Sequence, residues 1–146
     1  MGRAKSAFER VCPQCGQRNG IPANHVADVG RCGACKADLP AASAPIDVAP
    51  ADFDALISAS RVPVLVDFWA PWCGPCRMAA PAVKQAASAL AGKAIVVKVN
   101  TQDHPELAQR YQVRGIPMFA AFEGGTMARK HMGAAPAGEL QRLALG

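Results

Sequence analysis

Six cysteines constrain this chain of 146 residues more than any other feature, because all six fall in three Cys-x-x-Cys pairs. The pairs are Cys12/Cys15, Cys32/Cys35 and Cys73/Cys76. The N-terminus carries basic residues without an apolar run behind them, which predicts no secretory signal and a cytoplasmic location. Thiols are kept reduced in that compartment, so paired cysteines there bind metal or carry out redox chemistry more often than they cross-link a fold.

Charge and hydropathy exclude several other classes of protein. The formal net charge of +5 is modest and no run of like charge accompanies it, so neither nucleic acid nor a membrane surface is expected as a partner. Residues 1–45 contain six basic and three acidic residues, with Phe8 as the only aromatic residue, which does not resemble a stacking nucleic-acid surface. No apolar stretch is long enough to span a membrane. We expect a monomer.

The pattern divides the chain into two unequal parts. Residues 1–39, which we call the four-cysteine module, hold four cysteines, many turn residues and few large apolar side chains. Residues 40–45 lack bulky side chains and are interpreted as a linker. Residues 46–146 follow the order β-α-β-α-β-α-β-β-α, which predicts an α/β fold with a central mixed sheet. No internal repeat is apparent.

The regular elements of residues 46–146 are predicted from apolar periodicity and turn signals. Strands are expected at 46–48, 62–70, 94–99, 117–122 and 126–132, and helices at 52–59, from 73 onward, at 105–111 and at 137–145.

The third cysteine pair lies where a buried strand gives way to a helix. Positive potential at a helix N-terminus stabilises a thiolate, so Cys73 is the candidate nucleophile. Cys76 lies one turn further along the helix, which predicts a less exposed, resolving thiol, and Pro75 restricts the turn between them. A zinc half-site is the alternative, although His104 and His131 are isolated rather than at ligand spacing.

The residues around this pair carry a resemblance. Residues 64–77, VLVDFWAPWCGPCR, resemble the active-site strand and loop of the thioredoxin family. Residues 114–117, RGIP, resemble the cis-proline loop of that family, and Gly125 and Gly133 match its glycine positions. The resemblance implies a thioredoxin fold from residue 46 to the C-terminus. It also implies a protein-disulfide reductase that is recharged by thioredoxin reductase, an NADPH-dependent flavoprotein.

Individual roles follow from the resemblance. Cys73 would attack a substrate disulfide and Cys76 would resolve the mixed disulfide. Asp67 matches the buried aspartate of the family, and burial raises the pKa of a carboxyl group, which makes it a proton acceptor for Cys76. A purely structural acid is the alternative. Lys98 matches the lysine that pairs with this aspartate, and a lysine that extends from a strand end to water is its alternative.

The resemblance also implies an apolar substrate surface around Cys73 and a cis peptide bond before Pro117. The expected members of that surface are Trp69, Trp72, Gly74, Pro75, Ile116, Pro117 and Gly133. Met118 departs from the threonine that is common after this proline, which affects substrate contact rather than chemistry.

The first two pairs have the spacing C-x2-C-x16-C-x2-C, which is typical of zinc sites. Four thiolates suit one closed, structural Zn²⁺ site, with Cys12, Cys15, Cys32 and Cys35 as ligands in a zinc-ribbon-like module. Such an ion would supply folding free energy that the small core cannot. Two disulfides or four free thiols are the alternatives. No organic cofactor is expected.

The four-cysteine module together with WAPWCGPC is similar to the bacterial zinc-containing thioredoxins of the thioredoxin-2 class. The role of the module stays open between an oxidant sensor that ejects zinc and a stabilising or partner-docking appendage. Two other functions remain: an oxidase or isomerase of the same fold, and a zinc-module binding protein that uses the thioredoxin domain as its switch.

Overall fold

The computed structural model describes residues 8–146, so residues 1–7 of the four-cysteine module lie outside the described residues. Nine strands are present in this part of the chain: β1 (Glu9–Val11), β2 (Arg18–Gly20), β3 (Gly30–Arg31), β4 (Asp38–Leu39), β5 (Ile46–Asp47), β6 (Val64–Trp69), β7 (Ile95–Asn100), β8 (Met118–Glu123) and β9 (Thr126–Met132). The α-helices are α1 (Pro50–Ala59), α2 (Gly74–Ala89), α3 (Pro105–Arg110) and α4 (Ala137–Leu145), and a short 3-10 helix spans Ala23–His25.

A five-stranded mixed sheet forms the centre of the molecule, in the order β5-β7-β6-β8-β9. Strands β5, β7 and β6 run parallel, whereas β8 and β9 are antiparallel to their neighbours. The predicted α/β fold with a central mixed sheet is therefore confirmed.

Helices cover both faces of this sheet, which explains why its middle strands are almost wholly apolar. On one face, Phe53 of α1 packs edge to face on Phe122 of β8, with ring centroids 5.5 Å apart. On the other face, α2 and α4 enclose a second core cluster around Leu65, Val96 and Phe119. The start of α2 thereby comes to lie over the end of β6.

Predicted element boundaries differ from the structure by one or two residues. Helix α1 begins at Pro50 rather than at Asp52, because Pro50 occupies the first helical turn, where its missing N–H has no intrahelical partner to lose. Strand β6 is shorter than predicted at both ends. Helix α4 spans the predicted residues.

The four-cysteine module consists of two small antiparallel sheets, β1-β2 and β3-β4, each with one cysteine pair in its turn. In the first turn the N–H of Cys12 donates to Gln17 O over 2.9 Å, and in the second the N–H of Cys32 donates to Ala37 O over 2.8 Å. The two turns form a structural repeat offset by 20 residues, although no repeat is apparent in the sequence. Few side chains are shared between the copies, so the pattern is carried by the backbone.

The module packs directly on the larger domain. Phe8, Ile21, Val26 and Leu39 belong to the same buried apolar cluster as Phe53. The N–H of Ala42, in the expected linker, donates to Val26 O over 3.2 Å. The expected linker is thus tied to the module by at least one backbone hydrogen bond.

None of the helices in residues 8–146 combines the length and the apolar character that crossing a bilayer requires.

Candidate functional site

The third cysteine pair forms a disulfide at the junction of β6 and α2, with 5.3 Å between the Cα atoms of Cys73 and Cys76. Cys73 is the N-cap of α2, and its Sγ accepts a hydrogen bond from the N–H of Cys76 over 3.2 Å. Unpaired N–H groups at a helix start present positive potential, which stabilises negative charge on the sulfur of Cys73.

The two cysteines do not differ in burial as the sequence predicted. Cys73 is 4% exposed and Cys76 is 5% exposed. The disulfide draws both sulfurs into the same pocket, so exposure of the oxidised form does not distinguish nucleophile from resolving thiol. The N-cap hydrogen bond, which only the sulfur of Cys73 receives, does distinguish them.

The cis-proline loop lies against the disulfide. The bond between Ile116 and Pro117 is cis, and Cys73 Sγ lies 3.7 Å from Ile116 O. The N–H of Gly133 donates to Pro117 O over 2.8 Å, and the φ of Gly133 is 95°, a value that favours glycine. The backbone of the β9 end thus holds this loop in place.

The residues predicted for the substrate surface differ in exposure. Trp72, Gly74 and Pro75 are exposed, Trp69, Ile116 and Gly133 are half-buried, and Pro117 is buried. A shallow cleft of about 190 Å³ begins beside Trp72. Its other lining residues are Thr101, Ala108, Val113, Arg114, Gly115 and Ile116. Met132, 54% exposed, lies next to Gly115 and adds apolar surface.

Asp67 is the only buried acid in the described part of the chain, with 3% of its surface exposed. Its Oδ1 is buried and has no hydrogen-bond partner among the described residues. Burial raises the pKa of Asp67 to about 7, while the charge of Lys98 lowers it and that of Asp47 raises it. The group can therefore exchange a proton near neutral pH.

Lys98 lies opposite Asp67 in the register of β6 and β7. Its Nζ is 4.3 Å from the centroid of the Trp69 ring, a cation–π contact. No ion pair involves Lys98 anywhere in residues 8–146. Lys98 therefore acts on Asp67 through its charge rather than by direct contact.

The other four cysteines form a candidate metal centre. The Sγ atoms of Cys12, Cys15, Cys32 and Cys35 all lie within 4.8 Å of one another. Two of the separations, Cys12 to Cys35 and Cys15 to Cys32, are 3.6 Å. Tetrahedral coordination with Zn–S bonds of about 2.3 Å places sulfurs about 3.8 Å apart, so this donor set fits a soft divalent ion.

Backbone N–H groups point at the sulfurs of the candidate metal centre. The N–H groups of Gln14 and Ala34 donate to Cys12 Sγ and Cys32 Sγ, each over 3.4 Å. The backbone N–H of Cys35 is the largest of several effects that lower the pKa of Cys32 to about 6. The backbone N–H of Cys15 likewise lowers the pKa of Cys12. These thiols are thereby prepared to bind as thiolates.

The sequence analysis did not single out two polar residues that lie beside the predicted sites. Asn19 joins the two cysteine turns: its Oδ1 accepts from the N–H of Gly33 over 3.0 Å, and its Nδ2 lies 3.7 Å from Cys32 Sγ. Asp47 lies opposite Lys98 on the other side of β7. A polar residue between Ile46 and Val48 was the available signal for Asp47, but its partner depends on the sheet order.

Comparison with known proteins places this geometry in a family. The Thioredoxin family model matches residues 44–145. Thioredoxin 1 of Chlorobaculum tepidum is 49% identical over 92 residues, which are 63% of this chain and 91% of the relative. Thioredoxin M4, chloroplastic, of Arabidopsis thaliana is 39% identical over 130 residues, which are 86% of this chain and 67% of the relative.

Among solved structures, a single-substitution mutant of thioredoxin from Halobacterium salinarum is similar at a TM-score of 0.63 and 32% identity. That similarity covers 69% of this chain and 88% of the other. The chain belongs to the thioredoxin family and is a thiol–disulfide oxidoreductase.

Proposed function

We propose that this chain reduces disulfides in protein substrates, with Cys73 as the nucleophile and Cys76 as the resolving thiol. The observation that carries the assignment is the hydrogen bond from the N–H of Cys76 to Cys73 Sγ at the start of α2. A thiolate at that position is stabilised and lies at the edge of an apolar surface that a substrate can cover.

The exchange proceeds in two steps. The Cys73 thiolate attacks one sulfur of the substrate disulfide, and the other substrate sulfur leaves as a thiolate and takes a proton. Cys76 then loses its proton and attacks Cys73 Sγ, which releases the second substrate thiolate. The second substrate thiolate also takes a proton. The substrate thus gains two electrons from the two cysteine sulfurs and two protons, one matching the proton that Cys76 loses and one from solvent. The chain is left with the Cys73–Cys76 disulfide that the structure contains.

Asp67 accepts the proton of Cys76 in this scheme. Three observations support the role: its burial, its unpartnered Oδ1 and its position on the sheet face that the start of α2 covers. With its pKa raised to about 7 by burial, the carboxylate is a base matched to neutral pH. Lys98 supplies the charge that keeps this carboxylate ionisable in an apolar setting.

The substrate surface consists of the exposed and half-buried residues around the disulfide. Trp72 supplies the largest exposed apolar area, 70% of its surface, and it borders the cleft that ends at Ile116. The remaining members are Trp69, Gly74, Pro75, Pro117 and Gly133. Because the cleft is shallow and open, the surface suits many extended polypeptides rather than one small molecule.

The oxidised pair must be reduced after each turnover. We assign that step to a thioredoxin reductase, an NADPH-dependent flavoprotein. Family membership supports this partner.

The four-cysteine module is proposed to hold one structural Zn²⁺ through Cys12, Cys15, Cys32 and Cys35. The chemistry of the donor set and the sulfur separations near 3.6 Å support that ion. When bound, the ion ties the two small hairpins together and supplies folding free energy. Binding through four thiolates requires reduced cysteines, which favours a cytoplasmic location for the protein. We also keep, as proposals, a monomer and the division into 1–39, 40–45 and 46–146.

Insulin reduction tests the redox assignment. The Cys73→Ser variant is expected to lose all measurable turnover with the recharging system present, since no other thiolate lies at a helix start among the described cysteines. Arg77→Ala, a change at an exposed residue next to Cys76, is the matched control and should keep most of the activity. Full activity of Cys73→Ser would overturn the assignment.

Counting metal and thiols tests the metal assignment on the same preparation. The reduced protein should contain one zinc per chain and two thiols that react under native conditions. Six reactive thiols with no metal would show that the module does not hold an ion.

A further inference from the structure

The polar residues on the α2 side of the sheet suggest a role for an acid that the scheme above does not use. Asp47, Lys98 and Asp67 are partners in register across the neighbouring parallel strands β5, β7 and β6. Residues paired in this way point to the same face of a sheet. One cation therefore lies between two carboxylates, one of them exposed and the other buried.

Lys98 forms an ion pair with neither Asp47 nor Asp67. Its Nζ lies over the Trp69 ring at 4.3 Å, and no carboxylate of residues 8–146 reaches it within ion-pair distance. A solvent-accessible cavity of about 350 Å³ gives the amine room to move. The lining residues are Asp47, Val48, Ala49, Trp69, Lys98, Asn100, Asp103 and His104.

We propose that Asp47 is a positioning residue that draws the Lys98 ammonium toward the cavity and so limits how much of its charge reaches Asp67. The inference rests on the proton-acceptor role proposed for Asp67. Asp47 never touches a cysteine or the substrate in this account. It sets the pH range in which Asp67 can take the proton of Cys76.

Among the charged groups around Asp67, Asp47 is the one in position to compete with Asp67 for the Lys98 ammonium. From β8 the register partner of Asp67 is Phe119, which carries no charge. At the start of α2, Cys73 and Cys76 form the disulfide and do not titrate. Asp103 and His104 lie at the cavity rim beyond the end of β7 and are not in register with Lys98. The charge of Asp47 also raises the pKa of Asp67 directly, so the test must separate that repulsion from an effect through Lys98.

The direct test follows the carboxyl titration of Asp67 by ¹³C NMR in the oxidised protein, where Cys73 and Cys76 do not titrate. Two strand spacings of about 4.8 Å separate Asp47 from Asp67, so loss of the charge alone lowers the midpoint by about 0.3 to 0.6 pH unit. Release of Lys98 adds to this, and we expect about 0.5 to 1 pH unit for Asp47→Asn. Asp103→Asn, which removes an equal charge from the same cavity, should change the midpoint by less than half as much.

A Lys98→Met background separates positioning from simple charge repulsion. If Asp47 acts through Lys98, Asp47→Asn shifts the midpoint at least one and a half times as far in the normal background as it does in the Lys98→Met background. Lys98→Gln serves the same purpose if the Lys98→Met variant does not fold. An equal shift in both backgrounds, or no shift from Asp47→Asn, would overturn the proposal.

The resolving step gives a second readout. In the reduced protein, Asp47→Asn should move the pH at which the mixed disulfide resolves at half its maximal rate downward by the same amount as the NMR midpoint. The Asp67→Asn variant tests the proposed function separately. If its rate of resolving the mixed disulfide keeps the normal pH profile, Asp67 is not the proton acceptor. The NMR titration still tests Asp47 in that case.

Discussion

Asp67 shows how one residue can serve chemistry at a cost to stability. Its carboxyl is almost fully buried and its Oδ1 lacks a partner among the described residues. Burial raises its pKa from 3.8 to about 7 in the folded chain, so between these values the folded state binds a proton that the unfolded state releases. The free energy of unfolding therefore falls as pH rises through this window.

Replacement of Asp67 by Asn should remove that pH dependence. In the oxidised protein we expect the stability advantage of Asp67→Asn over the wild type to be about 2.5 kcal/mol larger at pH 8 than at pH 5. Urea unfolding at the two pH values measures it, with Asp103→Asn as a control that should show little difference. An advantage of the same size at both pH values would mean that Asp67 is not buried as an ionisable group.

The sequence around Cys73 and Cys76 predicted their chemical role better than their solvent exposure. The position of Cys73 at a helix start, together with the resemblance of residues 64–77, predicted a redox pair. Their equal burial was not predictable, since the cluster that encloses both cysteines includes Ile116, which is distant in sequence.

At the scale of elements, the strands and helices predicted for residues 46–146 agree closely with those in the structure. Apolar runs such as Val64–Trp69 and the hairpin turn at Gly124 and Gly125 carry local signals that decide strand and turn by themselves. The short strands of the four-cysteine module could not be predicted from local signals of this kind. The two turns of this module share a pattern of backbone hydrogen bonds but few side chains. Aligning their sequences therefore does not reveal the repeat.

The repeat predicts a stabilising substitution. Lys36 has a φ of 67°, and the equivalent position in the first turn is Gly16, with a φ of 79°. Glycine adopts this region without a Cβ penalty, so Lys36→Gly should stabilise the module by about 1 kcal/mol. Competition for zinc with a chelator measures it as slower metal loss. Gly16→Ala is the opposite change and should speed metal loss; equal rates in all three proteins would contradict the repeat.

The whole molecule is held together by a core that both parts of the chain share. Leu39 of the module is 1% exposed and belongs to the cluster that contains Phe53 of α1. A module that contributes to this core stabilises the rest of the chain in addition to itself. Such coupling between distant segments of the chain could not be predicted from local patterns, since no periodic signal in residues 1–39 indicates which surface they cover.

Truncation of the Leu39 side chain tests this coupling. Leu39→Ala should lower the free energy of unfolding by about 2 to 4 kcal/mol, because it leaves a cavity in the shared core. Both tryptophans, Trp69 and Trp72, lie in the redox domain, so their fluorescence reports the unfolding of that domain. Val29→Ala, at a residue that is 65% exposed, is the matched control. If only the metal site and not the fluorescence transition responded to Leu39→Ala, the two parts would be independent.

The central claim is that Cys73 alone attacks substrate disulfides, while Cys76 resolves them and the other four cysteines bind metal. The Cys76→Ser variant, mixed with an oxidised protein substrate, tests it by intact mass and peptide mapping. The account predicts a stable adduct of one substrate per chain, linked through Cys73, with zinc retained. An adduct through Cys12, Cys15, Cys32 or Cys35, or no adduct at all, would contradict it.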